Sequence, residues 1–214
     1  MDITQSAQYI VFDGQDGSGK GTQMKLFSDR AEAEGRKFIQ VREPGGTLFG
    51  EDLRKILMSC HIEVGTEFFC MMAARNELMR QVVMPHLEKG ISVISDRGDS
   101  STYAYQICGR RASYLEDEFW RMRELFFSKC TPNHYLIFDL SSEEAQRRSN
   151  SDPGHNSVFD KEKLEFYKKV ALGYRSFVYD LPRPGKGTII DAGRSPEIIH
   201  EEVYGLISGL CGWE

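Results

Sequence analysis

A chain of 214 residues, 40% hydrophobic and 28% charged, has the length and composition of one globular domain able to bury a substantial core. Its net charge of −5, from 27 basic and 32 acidic side chains, argues against broad nucleic-acid or anionic-membrane binding, although a few local arginines can still hold a small anion. The five cysteines (Cys60, Cys70, Cys108, Cys130 and Cys211) are odd in number and lack Cys-x-x-Cys spacing, which points to reduced thiols in a cytoplasmic protein and away from a zinc site.

The segment Met1–Ser6 has no basic n-region and no apolar h-region, so no secretion signal is expected, and no apolar run approaches membrane-spanning length. The run Tyr9–Asp13 reads as a buried strand. It leads into Gly14-Gln15-Asp16-Gly17-Ser18-Gly19-Lys20-Gly21-Thr22, after which Gln23–Phe27 begins a helical pattern. Strand, glycine-rich turn and helix are the context of a phosphate loop. Its glycines let backbone N–H groups turn inward as an anion nest, the helix dipole adds positive potential, and Lys20 supplies a mobile ammonium. The spacing fits the Walker A pattern except that Gly21 stands where Ser or Thr is usual, with Thr22 one place later. The alternative is a glycine-rich turn with an incidental lysine.

A second strand is expected over Phe38–Arg42, followed by Glu43-Pro44-Gly45-Gly46-Thr47. Pro-Gly-Gly sets a tight turn that lets a ligand approach the backbone, with Arg42, Glu43 and Arg54 in reach, or simply a turn before a helix. Glu67–His86 reads as one long helix whose apolar positions, Phe68, Met71, Met72, Leu78, Met79 and Val82, recur at helical spacing. Arg75 lies within that stripe and needs either a phosphate or a buried carboxylate as partner.

Ile91–Asp96 is expected as a third strand ending in a Walker-B-type aspartate, Asp96, a candidate Mg²⁺ ligand, with Arg97 at the cleft mouth. Thr102, Tyr105 and Gln106 then fall about one helical turn apart; they either face one pocket, where the Gln106 amide could read a base edge, or form a cap with surface polar groups. A fourth strand is expected over Tyr135–Asp139. Arg147 and Arg148 close a short helix, and Asn150–Ser157, with His155, reads as a lid loop or an inert connection. Phe159–Asp180 is amphipathic, with Tyr174 among its packing residues. Thr188–Asp191 is the last strand, Arg194 could stack on a purine, and Ser195-Pro196 opens the terminal helix as N-cap and first turn. Alternating strands and helices imply a parallel sheet covered on both faces, within one domain spanning 1–214, and gather Asp13, Arg42-Glu43, Asp96-Arg97 and Asp191 at the strands' carboxyl ends.

From Tyr9 to the terminal helix the chain resembles the thymidylate kinases. The resemblance rests on Gly14–Gln23, Arg42-Glu-Pro-Gly-Gly-Thr47, Ala73-Ala-Arg75 and Ser95-Asp-Arg-Gly-Asp-Ser-Ser-Thr-Tyr-Ala-Tyr-Gln106 in this order. It implies a P-loop, three-layer α/β/α fold with a roughly five-stranded parallel sheet and a helical lid at about 142–158. It also implies the reaction ATP + dTMP → ADP + dTDP with Mg²⁺, in a homodimer, while the cysteines, net charge and hydropathy add the expectation of a cytoplasmic protein with no nucleic-acid or membrane partner. By the same resemblance Gly14, Gly17, Ser18, Gly19, Lys20, Gly21 and Thr22 hold the ATP phosphates. Asp16 lies near the acceptor phosphate and the metal, with Thr22 and Asp96 as further metal candidates. Glu43, Arg54, Arg75 and Arg97 position the nucleoside monophosphate, Arg75 and Gln106 meet the base, and Thr102 and Tyr105 line its pocket.

Gly17 stands where some members carry a loop arginine; members without it use a lid arginine, which makes Arg147 and Arg148 the catalytic candidates. Three departures stand out. Met71 replaces the phenylalanine that usually stacks on the base, Gly98 replaces an aromatic residue or histidine, and the lid has few arginines. Gly21-Thr22-Gln23 is similar to adenylate kinases. These departures predict a roomier base pocket, open to a pyrimidine modified at its 5 position. The rival readings are an AMP or dGMP kinase and a nucleotide-binding regulator without turnover; a GTPase is disfavoured because no Asn-Lys-x-Asp motif is present.

Overall fold

Every apolar run read as a strand becomes one in the computed structural model, which describes residues 7–150, 162–180 and 186–213. The strands are β1 (Tyr9–Gly14), β2 (Phe38–Arg42), β3 (Ser92–Asp96), β4 (His134–Asp139) and β5 (Lys186–Asp191). They form one five-stranded sheet in the order β2-β3-β1-β4-β5, with every pairing parallel. β4 and β5 begin earlier than their apolar runs, because pairing extends to His134 opposite Lys186, and the His134 ring lies 2.8 Å from Thr188 Oγ1.

Alternation along β1 divides the apolar residues between two cores. Ile10 and Phe12 join Phe27, Ile94, Phe138 and Ile190 beneath α1 (Lys20–Ala33) and α9 (Pro196–Cys211). Tyr9 and Val11 join Val93, Tyr135 and Ile137 on the other face. That face is covered by α3 (Val64–Leu78), α5 (Asp99–Thr102), α6 (Glu116–Phe127) and α8 (Leu164–Asp180). Helix α2 (Leu48–Ser59) follows β2 and is capped by Thr47, whose hydroxyl accepts from Gly50 N at 3.0 Å. As expected, Ser195 caps α9, with Pro196 in its first turn.

The long helix expected over Glu67–His86 starts earlier, at Val64, and is interrupted. A π-helical turn, Met79–Val83, separates α3 from α4 (Met84–Glu88). Pro85 supplies the reason: it has no N–H for the carbonyl one turn back and its ring crowds that carbonyl, so the backbone widens. A second π-helical turn, Tyr103–Gly109, follows α5, where a regular helical turn was expected. Helix α7 (Ser142–Asn150) forms the described part of the expected lid; 151–158, including His155, and 159–161 at the start of the last amphipathic run lie outside the described residues. No helix among the described residues is long and apolar enough to cross a membrane.

Candidate active site

The carboxyl ends of β1 and β3 build the floor of the site. The buried Asp13 carboxylate accepts hydrogen bonds from Gly14 N (2.9 Å), Ser100 Oγ (2.6 Å), Ser101 Oγ (2.8 Å) and the Tyr174 hydroxyl (2.7 Å). It thereby ties the phosphate loop to α5 and α8. Asp99 makes the next anchor, accepting from the Tyr135 hydroxyl (2.6 Å) and from Arg123 Nε (2.7 Å). A buried carboxylate is stable when every lone pair has such a donor.

The phosphate loop wraps the start of α1. Gly17 has φ 80°, and a Cβ there would lie 2.1 Å from the Ala145 carbonyl oxygen. Helix α7 therefore rests directly on the loop, and neither alanine nor the arginine some relatives carry fits at this position. Lys20 is buried, and its Nζ donates to the Gly14 and Gln15 carbonyls at 2.7 and 2.8 Å. Burial, then the neighbouring Arg97, lowers its pKa to about 8, against the opposing pull of Asp16, Asp96 and Asp13.

Arg97 takes a left-handed backbone conformation, φ 70°, which costs about 1–2 kcal/mol for a residue with a Cβ. Two bonds hold it there: Arg97 N donates to the Phe12 carbonyl (2.9 Å), and Ser95 Oγ donates to the Arg97 carbonyl (2.7 Å). The result aims the guanidinium across β1, where it pairs with Asp16 and donates to Ser101 Oγ at 3.2 Å. The Tyr105 hydroxyl donates to the other Asp16 oxygen at 3.1 Å.

Arg75 meets the buried carboxylate, one of the two partners its sequence position allowed. Its Nε donates to the buried Glu43 carboxylate at 2.6 Å, and its Nη2 donates to the Gly98 carbonyl and to Thr102 Oγ1, both at 2.9 Å. It also lines the central cavity. Burial pushes the Glu43 carboxyl up, and Arg75 pulls it back down. The space beside Gly98 is filled by Val11, whose methyls would lie 3.0 and 3.1 Å from a Cβ, so the missing side chain is explained by packing against β1. Arg54 donates to the Pro44 carbonyl at 3.2 Å.

One cavity of about 1040 Å³ joins these groups. Asp16, Gly17, Ser18, Gly19, Lys20, Gly21, Thr22, Asp96, Arg148 and Arg194 line its wall. Glu43, Arg54, Met71, Arg75, Arg97, Thr102, Tyr105 and Gln106 also line it. Gly14, Arg42 and Arg147, singled out from the sequence, are not on the wall; Arg42 pairs with Glu51 at 2.7 Å on the surface. Gly14 lies beneath the loop as an acceptor for Lys20. Arg147 points outward, 71% exposed and paired with Glu144. Arg148 bonds Glu144 at 2.7 Å on the cavity side, and Arg194 is held by Glu202 and by the Asp191 carbonyl (3.1 Å). Sequence reading missed Glu67, which is bonded to Gln106, and the hydroxyl of Tyr174, placed among packing residues. It also missed Met58 and Ile199 on the wall.

A parallel sheet, a phosphate loop and several arginines on the wall of one cavity define the P-loop nucleoside-monophosphate kinase class. The chain matches the thymidylate kinase family model over residues 12–203. It is 35% identical to the thymidylate kinase of Ralstonia nicotianae, an alignment covering 96% of this chain and 100% of that one. It is 35% identical to that of Kosmotoga olearia (91% and 92% covered) and 34% identical to that of Mesoplasma florum (93% and 94%). The chain belongs to the thymidylate kinase family and is a phosphotransferase.

Proposed function

We infer that the protein transfers the terminal phosphoryl group of ATP to dTMP, giving ADP and dTDP. The observation that carries this reading is the single cavity in which the Lys20 loop faces Arg54, Arg75 and Arg97. The names of its relatives favour dTMP over AMP, dGMP or a 5-modified pyrimidine. Phosphoryl transfer needs two phosphates held in line and positive charge around the migrating group, and little covalent chemistry from the protein. The acceptor oxygen is already anionic, so no strong general base is required. Lys20 and the loop amides grip the donor, Arg54 and Arg97 grip the acceptor phosphate, and Arg75, Met71 and Gln106 receive the base. Asp13, through Ser101 and Tyr174, holds Arg97 in place.

Asp16, Asp96 and Thr22 line the cavity and would hold Mg²⁺. Mg²⁺ keeps several waters and binds through one or two carboxylates together with substrate phosphates. When bound, Mg²⁺ neutralises phosphate charge. A nucleotide panel read by ADP release tests the whole reading: dTMP is expected to give the highest kcat/KM, and a clear preference for AMP, dGMP or 5-hydroxymethyl-dUMP would replace it.

Of the two lid arginines, Arg148 is the one on the cavity wall. Arg148→Ala is expected to lower kcat about 10²-fold or more, as loss of a group acting on the transition state does, whereas Arg147→Ala leaves kcat within about twofold. Equal effects of the two substitutions in steady-state kinetics would remove the distinction. The chain is further proposed to act as one kinase domain and as a homodimer in the cytoplasm. Exposed apolar side chains on α2 (Phe49, Ile56), α3 (Phe69) and α6 (Leu125, Phe126) supply a surface for self-association, and the five cysteines are all free thiols. Sedimentation at micromolar concentration showing only the monomer would overturn the dimer.

A further inference from the structure

Gln106 is buried on the second π-helical turn and lines the cavity. Its amide Nε2 donates to the carboxylate of Glu67, a buried residue in the first turn of α3, one helical turn before Met71. Among the described residues nothing hydrogen-bonds the other end of that amide, the carbonyl oxygen Oε1. An amide can be turned either way round, and only its partners decide. An ionised carboxylate accepts and cannot donate, so Glu67 admits only the NH₂ end. We propose that Glu67 is a positioning residue: by claiming Nε2, it makes Gln106 present its carbonyl oxygen to the acceptor base, and so selects pyrimidines that carry a hydrogen on N3. This rests on the reading of the chain as a dTMP kinase and adds how the base is chosen.

The chemistry distinguishes the pyrimidines directly. Thymine and uracil offer N3–H as a donor, which an amide oxygen accepts. Cytosine offers a lone pair at N3, which meets that oxygen as acceptor against acceptor. A buried polar mismatch of this kind costs about 1–3 kcal/mol, about 5- to 150-fold in affinity. Without the carboxylate the amide is free to turn, and the mismatch disappears. Burial pushes the Glu67 carboxyl up; the Gln106 bond, Arg110 and His61 work against that, and Glu162 adds to it. Protonation of Glu67 would have the same effect as its removal, because the carboxylic acid can donate to Oε1 and release the NH₂ end towards the base.

Glu67→Gln keeps size and shape and removes the obligatory acceptor. The expected result is a KM for dTMP raised about twofold, as the competent amide orientation falls to about half, with kcat and the KM for ATP unchanged. In the same assay dCMP as competitor should gain on dTMP by about tenfold. A merely structural glutamate would change thermal stability and leave the dTMP-to-dCMP preference alone. If Glu67→Gln does not fold, Gln106→Leu serves instead, since it removes the amide that Glu67 turns; it should narrow the same preference. A wild-type enzyme active on dTMP, with the preference unchanged in the folded variant, overturns the role of Glu67 by itself. A wild type with no dTMP turnover overturns the parent reading and this one together.

Discussion

Lys20→Ala lowers kcat by about 10²–10³-fold or more, the scale on which a single charge-stabilising donor acts, while circular dichroism and the melting profile stay close to wild type. The geometry supports both halves of this expectation. Lys20 Nζ sits on the Gly14 and Gln15 carbonyls, at the mouth of the anion nest. Phosphate oxygens in that nest would draw the ammonium across, exchanging two neutral acceptors for charged ones, and charge-assisted bonds are about twice as strong. Alanine removes that exchange. It also removes a cation that is costly to bury, so the loss of two hydrogen bonds is offset and the fold persists.

A pH signature separates this role from a structural one. The free enzyme holds Lys20 at a pKa of about 8, below the ordinary 10.5. Between these values the unfolded chain binds more protons than the folded one, so the Lys20 contribution to stability rises with pH across that window. Binding a phosphate restores the ammonium. ATP binding near pH 9 therefore takes up protons and weakens as pH rises, while near pH 7 it takes up none at this site. Calorimetry in two buffers of different ionisation enthalpy reads the difference. Proton uptake that persists in Lys20→Ala, or turnover near the wild-type rate, would show that another group carries the donor phosphate.

Some of this site was legible in the sequence because its signal is local. The phosphate loop announces itself by glycine spacing between an apolar run and a helix. Arg75 drew notice as a cation inside an apolar stripe, and its partner Glu43 begins the Pro-Gly-Gly turn. What stayed hidden depends on register between distant segments. Tyr174 occupies a position that packing alone would explain, and its hydroxyl reaches Asp13, 161 residues away in sequence. Glu67 reads as an ordinary first-turn acid until the second π-helical turn brings Gln106 against it. Arg147 and Arg148 are adjacent in sequence and about 100° apart around a helix; only the seating of α7 on Gly17 decides which of them meets the cavity. Gly98 looked like added room for the base, and the structure fills that space with Val11.

The buried Arg75–Glu43 pair gives the largest expected effect on stability. Each member is about 5% exposed, so little water reaches either one. Removing one side of such a pair costs about 3–5 kcal/mol, because it strands the other. Arg75→Ala leaves Glu43 with one remaining donor, the Tyr9 hydroxyl at 3.2 Å, and also leaves the Gly98 carbonyl and Thr102 without their guanidinium partner. The sign of the pH dependence follows from Glu43. Burial already raises its pKa, and loss of Arg75 raises it further. A folded-state pKa above the unfolded value of 4.5 means the native state binds more protons than the unfolded one above that pH. The stability deficit of Arg75→Ala is therefore greatest near pH 7 and shrinks as the medium is acidified towards about pH 5. Neutralising the stranded partner should do the same work at constant pH: Arg75→Met combined with Glu43→Gln is expected to recover at least half of the lost stability by chemical denaturation. It should not recover acceptor binding, because no cation is restored to the cavity. If the double variant is as unstable as Arg75→Ala, the cost lies in the cavity left by the side chain; if it binds dTMP as wild type does, Arg75 has no part in holding the acceptor.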